Sequence, residues 1–233
     1  MIKISILIPV YNEEATIIYL LKSVQKEISK IKTVTFEIIV IDDCSKDNTS
    51  KLLKENGNLY NHMISLEKNQ GKGGAILQGL EKAKGEYILF QDADLEYSPK
   101  DYKALIRPIV DFDVDVVMGS RFLAPQFTRV HYFWHKVGNR WLTLIFNFLN
   151  NTTFTDIYSC YLIYRKSLVP IEKIKTIGWE QHGEILSLAI KKGEVFFEVP
   201  ITYRGRSYDE GKKIRGFHIF KILYTITITR FFT

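Results

Sequence analysis

Cysteine is scarce: Cys44 and Cys160 are the only two in 233 residues. Two thiols cannot build a disulfide framework or the four-ligand set of a structural zinc site. Proline is sparse as well, at six, and no Ser/Gly-rich tract marks a linker between domains. Internal repeats and low-complexity segments are missing. So are long hydrophobic runs. The opening apolar stretch, Ile4 to Val10, is short and leads into Tyr11-Asn12-Glu13-Glu14 without a small-residue cleavage site, which argues against a secretory signal. No stretch reaches the length of a membrane span; the nearest, Phe217 to Thr233, is broken by Lys221 and Arg230. The expectation is a cytoplasmic chain, in which the sequons at Asn48, Asn150 and Asn151 arise by chance.

What is present describes a globular protein, with 46% hydrophobic and 25% charged residues, because disordered chains carry fewer apolar and more unpaired charged groups. Lys and Arg outnumber Asp and Glu by 32 to 26, a formal charge of +6. That excess favours an anionic partner: nucleic acid, a phosphorylated ligand or an acidic membrane surface. Arg204, Arg206, Lys212, Lys213, Arg215, Lys221 and Arg230 crowd the C-terminal end. No nucleic-acid recognition motif accompanies them, so a nucleic-acid partner is not expected.

Hydrophobic spacing alternates between two periods. Ser5–Val10 and Glu37–Ile41 are continuous apolar runs, as strands buried on both faces require. Between them Ile17, Leu21, Val24 and Ile28 fall on one helical face. This helix starts with two acidic residues, Glu13 and Glu14, that suit its positive end. The pattern then repeats. A helix capped by Asp47 runs to about Asn56, followed by a strand at His62–Leu66 and a helix at Lys72–Lys84 ended by Gly85. Glu86–Phe90 is the next strand, then a helix at Pro99–Val110 with Pro108 inside it and a strand at Asp115–Met118. Strands alternating with helices imply an α/β fold with a doubly wound, mostly parallel sheet. Such sheets bind ligands beyond the carboxyl ends of their strands, where strand order reverses. After Arg121 the alternation stops. Helices are expected at Phe133–Leu149, Glu180–Lys192 and Arg215–Phe232, with strands at Cys160–Tyr164 and Val195–Val199. The division is a main domain over 1–214 and a C-terminal amphipathic helical extension over 215–233.

Chemistry collects at the expected strand ends. Asp92-Ala93-Asp94 sets two carboxylates two positions apart where the chain leaves a strand. Hard divalent cations prefer such oxygen ligands, and Mg²⁺ usually takes one or two carboxylates plus substrate phosphates. Glu96 is a third ligand, direct or through water; the alternative for the whole segment is a polar turn. Asp42-Asp43 ends the second strand, one carboxylate suited to a nucleobase N–H and the other to structure, against a plain turn. Gln70-Gly71-Lys72-Gly73-Gly74 fits neither the Walker A loop nor the G-x-G-x-x-G fingerprint. What remains is a flexible helix start with one cation, Lys72, that can face a phosphate.

Taken together, Ser5–Glu14, Val40–Thr49, Asn69–Gly79, Gly85–Glu96 and Gly119-Ser120-Arg121 resemble, in order and spacing, the family 2 glycosyltransferases of the GT-A fold. Thr155–Tyr161, Glu198-Val199-Pro200-Ile201 and Glu210–Ile214 resemble the dolichol-phosphate mannosyltransferase-like, polyprenyl-phosphate branch. The resemblance implies that Pro9, Tyr11 and Glu13 line a nucleotide pocket with Asp43 on the base. Asp92 and Asp94, flanking Ala93 and helped by Glu96, would hold Mg²⁺ or Mn²⁺ against a nucleotide-sugar diphosphate. Arg121 would face phosphate, and Arg206 with Lys212 and Lys213 would close over the site. The chain departs from the branch at Glu96, where Gln is common, and at Ser159-Cys160-Tyr161, where Ser-Gly-Phe is common.

The implied reaction displaces a nucleoside diphosphate from a sugar with inversion. A polyprenyl phosphate acceptor is already ionised and needs no base. A hydroxyl of a growing glycan does need one, and Asp156 is the candidate, with a turn or helix cap as its alternative. The C-terminal helix carries Phe217, Phe220, Leu223, Tyr224, Ile228 and Phe231 mostly on one side, near Arg215, Lys221 and Arg230. That stripe suits peripheral contact at the cytoplasmic face of a membrane, or ordinary packing against the sheet. A non-catalytic nucleotide-sugar or membrane-binding module is the remaining alternative.

Overall fold

The structure, a computed structural model, describes residues 1–123, 133–205 and 218–232. Its strands are β1 (Lys3–Val10), β2 (Thr35–Asp42), β3 (His62–Ser65), β4 (Tyr87–Phe90), β5 (Val116–Ser120), β6 (Leu162–Arg165) and β7 (Phe196–Pro200). Its helices are α1 (Ile17–Ile28), α2 (Thr49–Glu55), α3 (Gly71–Lys82), α4 (Tyr102–Phe112), α5 (Phe133–Asn150), α6 (Gln181–Lys192) and α7 (His218–Phe232). Among the described residues the seven strands form one sheet, ordered β3-β2-β1-β4-β6-β5-β7.

β1 sits near its middle because its apolar residues run without alternation: Ile4, Ile6, Leu7 and Ile8 are all fully buried, so both faces are covered. It pairs in parallel with β2 from Lys3↔Thr35 to Val10↔Asp42, and with β4 on its other side. The chain leaves β1 toward β2 and β3, then returns to β4 across the opposite edge. The carboxyl ends of β1 and β4 therefore flank the reversal of strand order.

Two expectations need correction. The strand expected at Cys160–Tyr164 begins at Leu162 and runs antiparallel between β4 and β5. Tyr161 through Tyr164 are wholly buried, and a fully buried strand reads the same in either direction. Glu13 and Glu14 lie before the first turn of α1, not in it. The Glu13 carboxylate accepts from the Thr16 hydroxyl at 2.9 Å, and Glu14 accepts from the Asn48 backbone at 2.8 Å. The stripe expected on α7 divides between its two readings: Leu223 packs against the core and Ile228 is half-buried, while the aromatic rings face outward. α7 packs on α5 and α6 through Ile222, Thr225, Ile226 and Thr229, leaving Phe220, Tyr224 and Phe231 exposed. Residues 215–217 lie outside the described residues.

Candidate active site

Three loops leave the carboxyl ends of β1, β2 and β4, and each contains a non-glycine residue in the left-handed region: Asn12 at φ 54°, Cys44 at 61° and Leu95 at 63°. Asp113 and Asn151 share that conformation but sit at helix ends, where it is an ordinary terminator. At strand ends it costs energy and persists only where the surroundings enforce it. Here they do. The Asn12 amide donates to the Ser45 hydroxyl at 3.0 Å, and the Lys46 amide donates to Asn12 Oδ1 at 2.7 Å. Asp42 accepts from the Ser45 amide at 3.0 Å, so it is the structural member of the Asp42-Asp43 pair. The buried Asp43 accepts from the Gln70 amide at 2.7 Å and fastens the start of α3 beside β2. Burial pushes the Asp43 carboxyl above its ordinary pKa despite that bond.

These loops bound a cavity of about 700 Å³. At one end lie Pro9, Tyr11, Glu13 and Asp43; Lys72 lies on the α3 side, and Asp92, Ala93, Asp94, Glu96 and Arg121 lie opposite. Lys72 is brought close because Gly73 packs directly on the Ile177 backbone, where a Cβ would stand 2.2 Å from the Ile177 carbonyl oxygen. Its ammonium donates to Asp92 Oδ1. Burial would lower the Lys72 pKa, but the Asp92 carboxylate outweighs it and raises it. Burial likewise works to raise the Asp92 carboxyl, and the adjacent Lys72 charge holds it below the usual range instead. Asp94 accepts from the Glu96 amide at 3.1 Å, and Glu96 accepts from the Tyr203 hydroxyl at 2.8 Å.

Among the described residues no three His, Cys, Asp or Glu side chains converge as a ready cage for a metal ion, and Glu96, the further candidate, is engaged by the Tyr203 hydroxyl. Asp92 and Asp94 nevertheless fit a hard divalent cation whose remaining ligands come from the phosphates of a bound substrate.

Arg121 follows β5 and is anchored from behind. Its Nε and Nη2 donate to the two carboxylate oxygens of Asp156 at 2.7 and 2.8 Å, and its backbone amide adds a third bond at 3.1 Å. Asp156 is wholly buried. The turn bearing it is held by Glu198 on β7, which accepts from the Thr155 amide at 2.9 Å and the Asp156 amide at 3.0 Å. Asp156 lies outside the cavity lining, and both its oxygens are engaged by a guanidinium. In this geometry the Asp156 side chain holds Arg121, and its Oδ1 also accepts from the Tyr158 amide at 3.3 Å, as in the turn-cap alternative. Burial works against the Arg121 charge, and Asp156 raises its pKa well above the ordinary value.

The cavity lining is also apolar in part, through Trp134 and Leu142 of α5, Trp179 before α6, Ile185 of α6, and Ile219 and Ile222 of α7, with Lys136 and Asn139 of α5 beside them. Two polar residues of the first turn of α6 belong to it as well. Gln181 donates to the carbonyls of Gly73 at 3.0 Å and Thr176 at 2.7 Å, tying α6 to α3. His182 lies against Phe90 and Tyr158, and its buried Nε2 has no hydrogen-bond partner among the described residues. Burial, reinforced by the Lys72 charge, pushes the His182 pKa down to about 4. Gln181, His182 and Tyr203 escape a reading of the sequence, because no motif marks them; Glu198 stands in a motif whose spacing does not tell its contact with the Thr155–Asp156 turn. The helix start at Glu180-Gln181-His182 is the one signal available. Arg206, Lys212 and Lys213 lie outside the described residues.

Similarity to known proteins adds to this geometry. The profile of the family described as "Glycosyl transferase family 2" matches residues 5–170. The chain is 31% identical over 250 residues to the UDP-N-acetylglucosamine–dolichyl-phosphate N-acetylglucosaminyltransferase of Methanococcus voltae, covering 97% of this chain and 96% of that protein. It is 37% identical over 107 residues to the undecaprenyl-phosphate 4-deoxy-4-formamido-L-arabinose transferase of Proteus mirabilis, which spans 45% of this chain and 32% of that one. Among solved structures, glucosyl-3-phosphoglycerate synthase from Mycobacterium tuberculosis, in complex with Mn²⁺, UDP and glucosyl-3-phosphoglycerate, aligns with a TM-score of 0.68. That alignment has 19% identity and covers 98% of this chain and 80% of that one. S. aureus TarS 1–349 with UDP-GlcNAc aligns with a TM-score of 0.65 and 21% identity, over 97% and 66%.

Proposed function

We propose, from the premise that this chain belongs to glycosyl transferase family 2, that it moves a sugar from a nucleotide-sugar donor to a polyprenyl phosphate. The fold is GT-A and the chain is a glycosyltransferase; the donor, the acceptor and the metal are the proposal. One observation carries it: a single cavity is lined both by charged groups, Lys72, Asp92, Asp94 and Arg121, and by apolar side chains of α5, α6 and α7. A lipid phosphate likewise combines a charged group with an apolar one.

In this reading Pro9, Tyr11, Glu13 and Asp43 form the nucleotide end. Asp92 and Asp94 hold Mg²⁺ or Mn²⁺, with Glu96 acting through water. A divalent cation bound there supplies positive charge to the departing diphosphate oxygens. Lys72 and Arg121 share that charge or grip the acceptor phosphate, and Asp156 keeps the Arg121 fork aimed. Attack by an ionised phosphate opposite the leaving group inverts the anomeric carbon and needs no base. A glycan hydroxyl does need one, and Asp156, committed to Arg121, does not serve. UDP-N-acetylglucosamine is the donor to try first, because it stands in the name of the relative matched over 97% of this chain. Since the acceptor resides in a bilayer, the enzyme works at a membrane face, the cytoplasmic one by the sequence reading.

The test is an acceptor assay with UDP-N-acetylglucosamine and Mn²⁺. Glycosylated short-chain polyprenyl phosphate, with no product from free sugars, supports the reading. Product from free sugars alone overturns it.

A further inference from the structure

Two adjacent helices are apolar on the side that folding does not use. α5 buries Leu142, Thr143, Phe146 and Asn150, and α7 buries Ile222, Thr225, Ile226 and Thr229. On ordinary surface helices the opposite face is polar. Here α5 presents Trp134, Trp141, Leu144 and Phe148, spaced seven, three and four apart, with Phe148 86% exposed. α7 presents Phe220, Tyr224 and Phe231, spaced four and seven apart, with Phe220 78% exposed. Aromatic rings repeated on one face of each of two packed helices make a patch that solubility alone does not explain.

The charged residues carried by the two helices themselves are all basic. Neither helix contains an Asp or Glu, although the chain has 26 acidic residues. Lys136 and Arg140 border the α5 stripe, and Lys221 and Arg230 flank the α7 stripe. Lys221 also ties α7 to α6 through a 2.7 Å ion pair with the buried Glu180. No helix among the described residues is long and apolar enough to cross a membrane, so this surface suits lying on a bilayer. Rings at headgroup depth with cations beside them form the physical pattern of an interfacial helix on anionic lipid. The inner sides of the same helices, through Leu142, Ile219 and Ile222, belong to the cavity lining.

We infer that α5 and α7 together are a docking face for an anionic phospholipid surface, which sets the apolar part of the cavity lining toward the bilayer. The inference rests on the lipid-phosphate reading for its purpose and goes beyond it in assigning the face. It extends the contact from the C-terminal helix to α5.

The test uses the full chain and vesicles of phosphatidylglycerol and phosphatidylcholine that contain no polyprenyl phosphate. Two of the three tryptophans, Trp134 and Trp141, lie on α5, so their emission reports insertion directly. Expected are a blue shift, quenching by brominated acyl chains, and at least tenfold weaker binding to pure phosphatidylcholine. Trp141→Ser/Phe148→Ser and, separately, Tyr224→Ser/Phe231→Ser each lower the partition coefficient at least tenfold. All four residues point outward, so melting temperature and stabilisation by UDP-N-acetylglucosamine with Mn²⁺ stay unchanged. Absent binding to anionic vesicles, or undiminished binding by both double variants, overturns the assignment. So does a dimer that Trp141→Ser/Phe148→Ser dissociates in a protein that ignores vesicles, since the face is then a contact between copies. Vesicle binding without donor stabilisation leaves the face standing and removes UDP-N-acetylglucosamine as the donor, so the two failures are distinguishable.

Discussion

At the scale of single residues the informative groups are buried charges whose partners come from distant parts of the chain. Arg121 and Asp156 lie 35 positions apart and meet in a two-pronged ion pair. Removing one partner from a buried pair strands the other charge, at about 3–5 kcal/mol. Asp156→Asn is therefore expected to lower both the unfolding free energy by that amount and kcat/KM, whereas Arg121→Lys, which keeps a charge opposite Asp156 but loses the fork, is expected to lower kcat/KM with a smaller loss of stability. Denaturant melts alongside kinetics check this. A base would show a different signature, a collapse of kcat with stability intact. His182 supplies a second prediction. Its folded pKa is about 4 against 6.5 in the free side chain, so the unfolded chain binds the proton first as pH falls. The resulting stability is present above pH 6.5 and is lost on descending to 4, up to ~3 kcal/mol for a shift of this size. Urea melts at pH 7, 5.5 and 4.5 are expected to give a shallower decline for His182→Gln than for the parent chain. Equal slopes would remove His182 as the source.

At the scale of elements, α3 shows how a helix start becomes part of a site. Gly73 lets the first turn of α3 rest on the Ile177 backbone, and Gln181 closes the same joint from α6. Gly73→Ala must displace either the helix or the 176–178 segment, and a loss of ~2 kcal/mol or more is expected, together with weaker donor binding as Lys72 shifts. Gly71→Ala is the control: its φ is +75° in open space, so only backbone strain of about 1 kcal/mol enters. Thermal melts of the two variants discriminate these mechanisms. Elements also differ in how plainly the amino-acid sequence announces them. The alternating units from β1 to β5 are legible because parallel strands write themselves as unbroken apolar runs, and Asp43, Asp92, Asp94 and Arg121 because ligands gather at the ends of such strands. The direction of β6 is not legible, since burial on both faces removes alternation. Nor is the outward face of α7, where Ile and Thr form the inner side and aromatic rings the outer, so apolarity alone selects neither. The pairings Lys72 with Asp92, Asp156 with Arg121, and Glu198 with the Thr155–Asp156 turn are invisible in the sequence because contact, not spacing, defines them.

At the scale of the whole molecule the cavity is the joint between two halves: the loops after β1, β2 and β4 supply Glu13, Asp43, Asp92 and Asp94, and α5 to α7 supply apolar side chains. A ligand filling it contacts both halves, so its binding registers as stability of the entire fold. Binding to the native state alone adds about 2.7 kcal/mol at a hundredfold excess over Kd. For a chain of this size each kcal/mol moves the melting temperature by roughly 2–4 °C. UDP-N-acetylglucosamine with Mn²⁺ is thus expected to raise the melting temperature by roughly 5–10 °C at that excess. Chelation with EDTA is expected to return it to the unliganded value, and Asp94→Ala to leave it flat while its own melting temperature stays close to that of the parent chain. The requirement for both components follows from Asp92 and Asp94. Without a cation, two carboxylates face a diphosphate across the cavity and the like charges repel, so Lys72 and Arg121 alone must offset them. An undiminished rise in EDTA would show those two cations sufficient and the metal dispensable. A flat response to UDP- and GDP-sugars alike would remove the nucleotide-sugar donor.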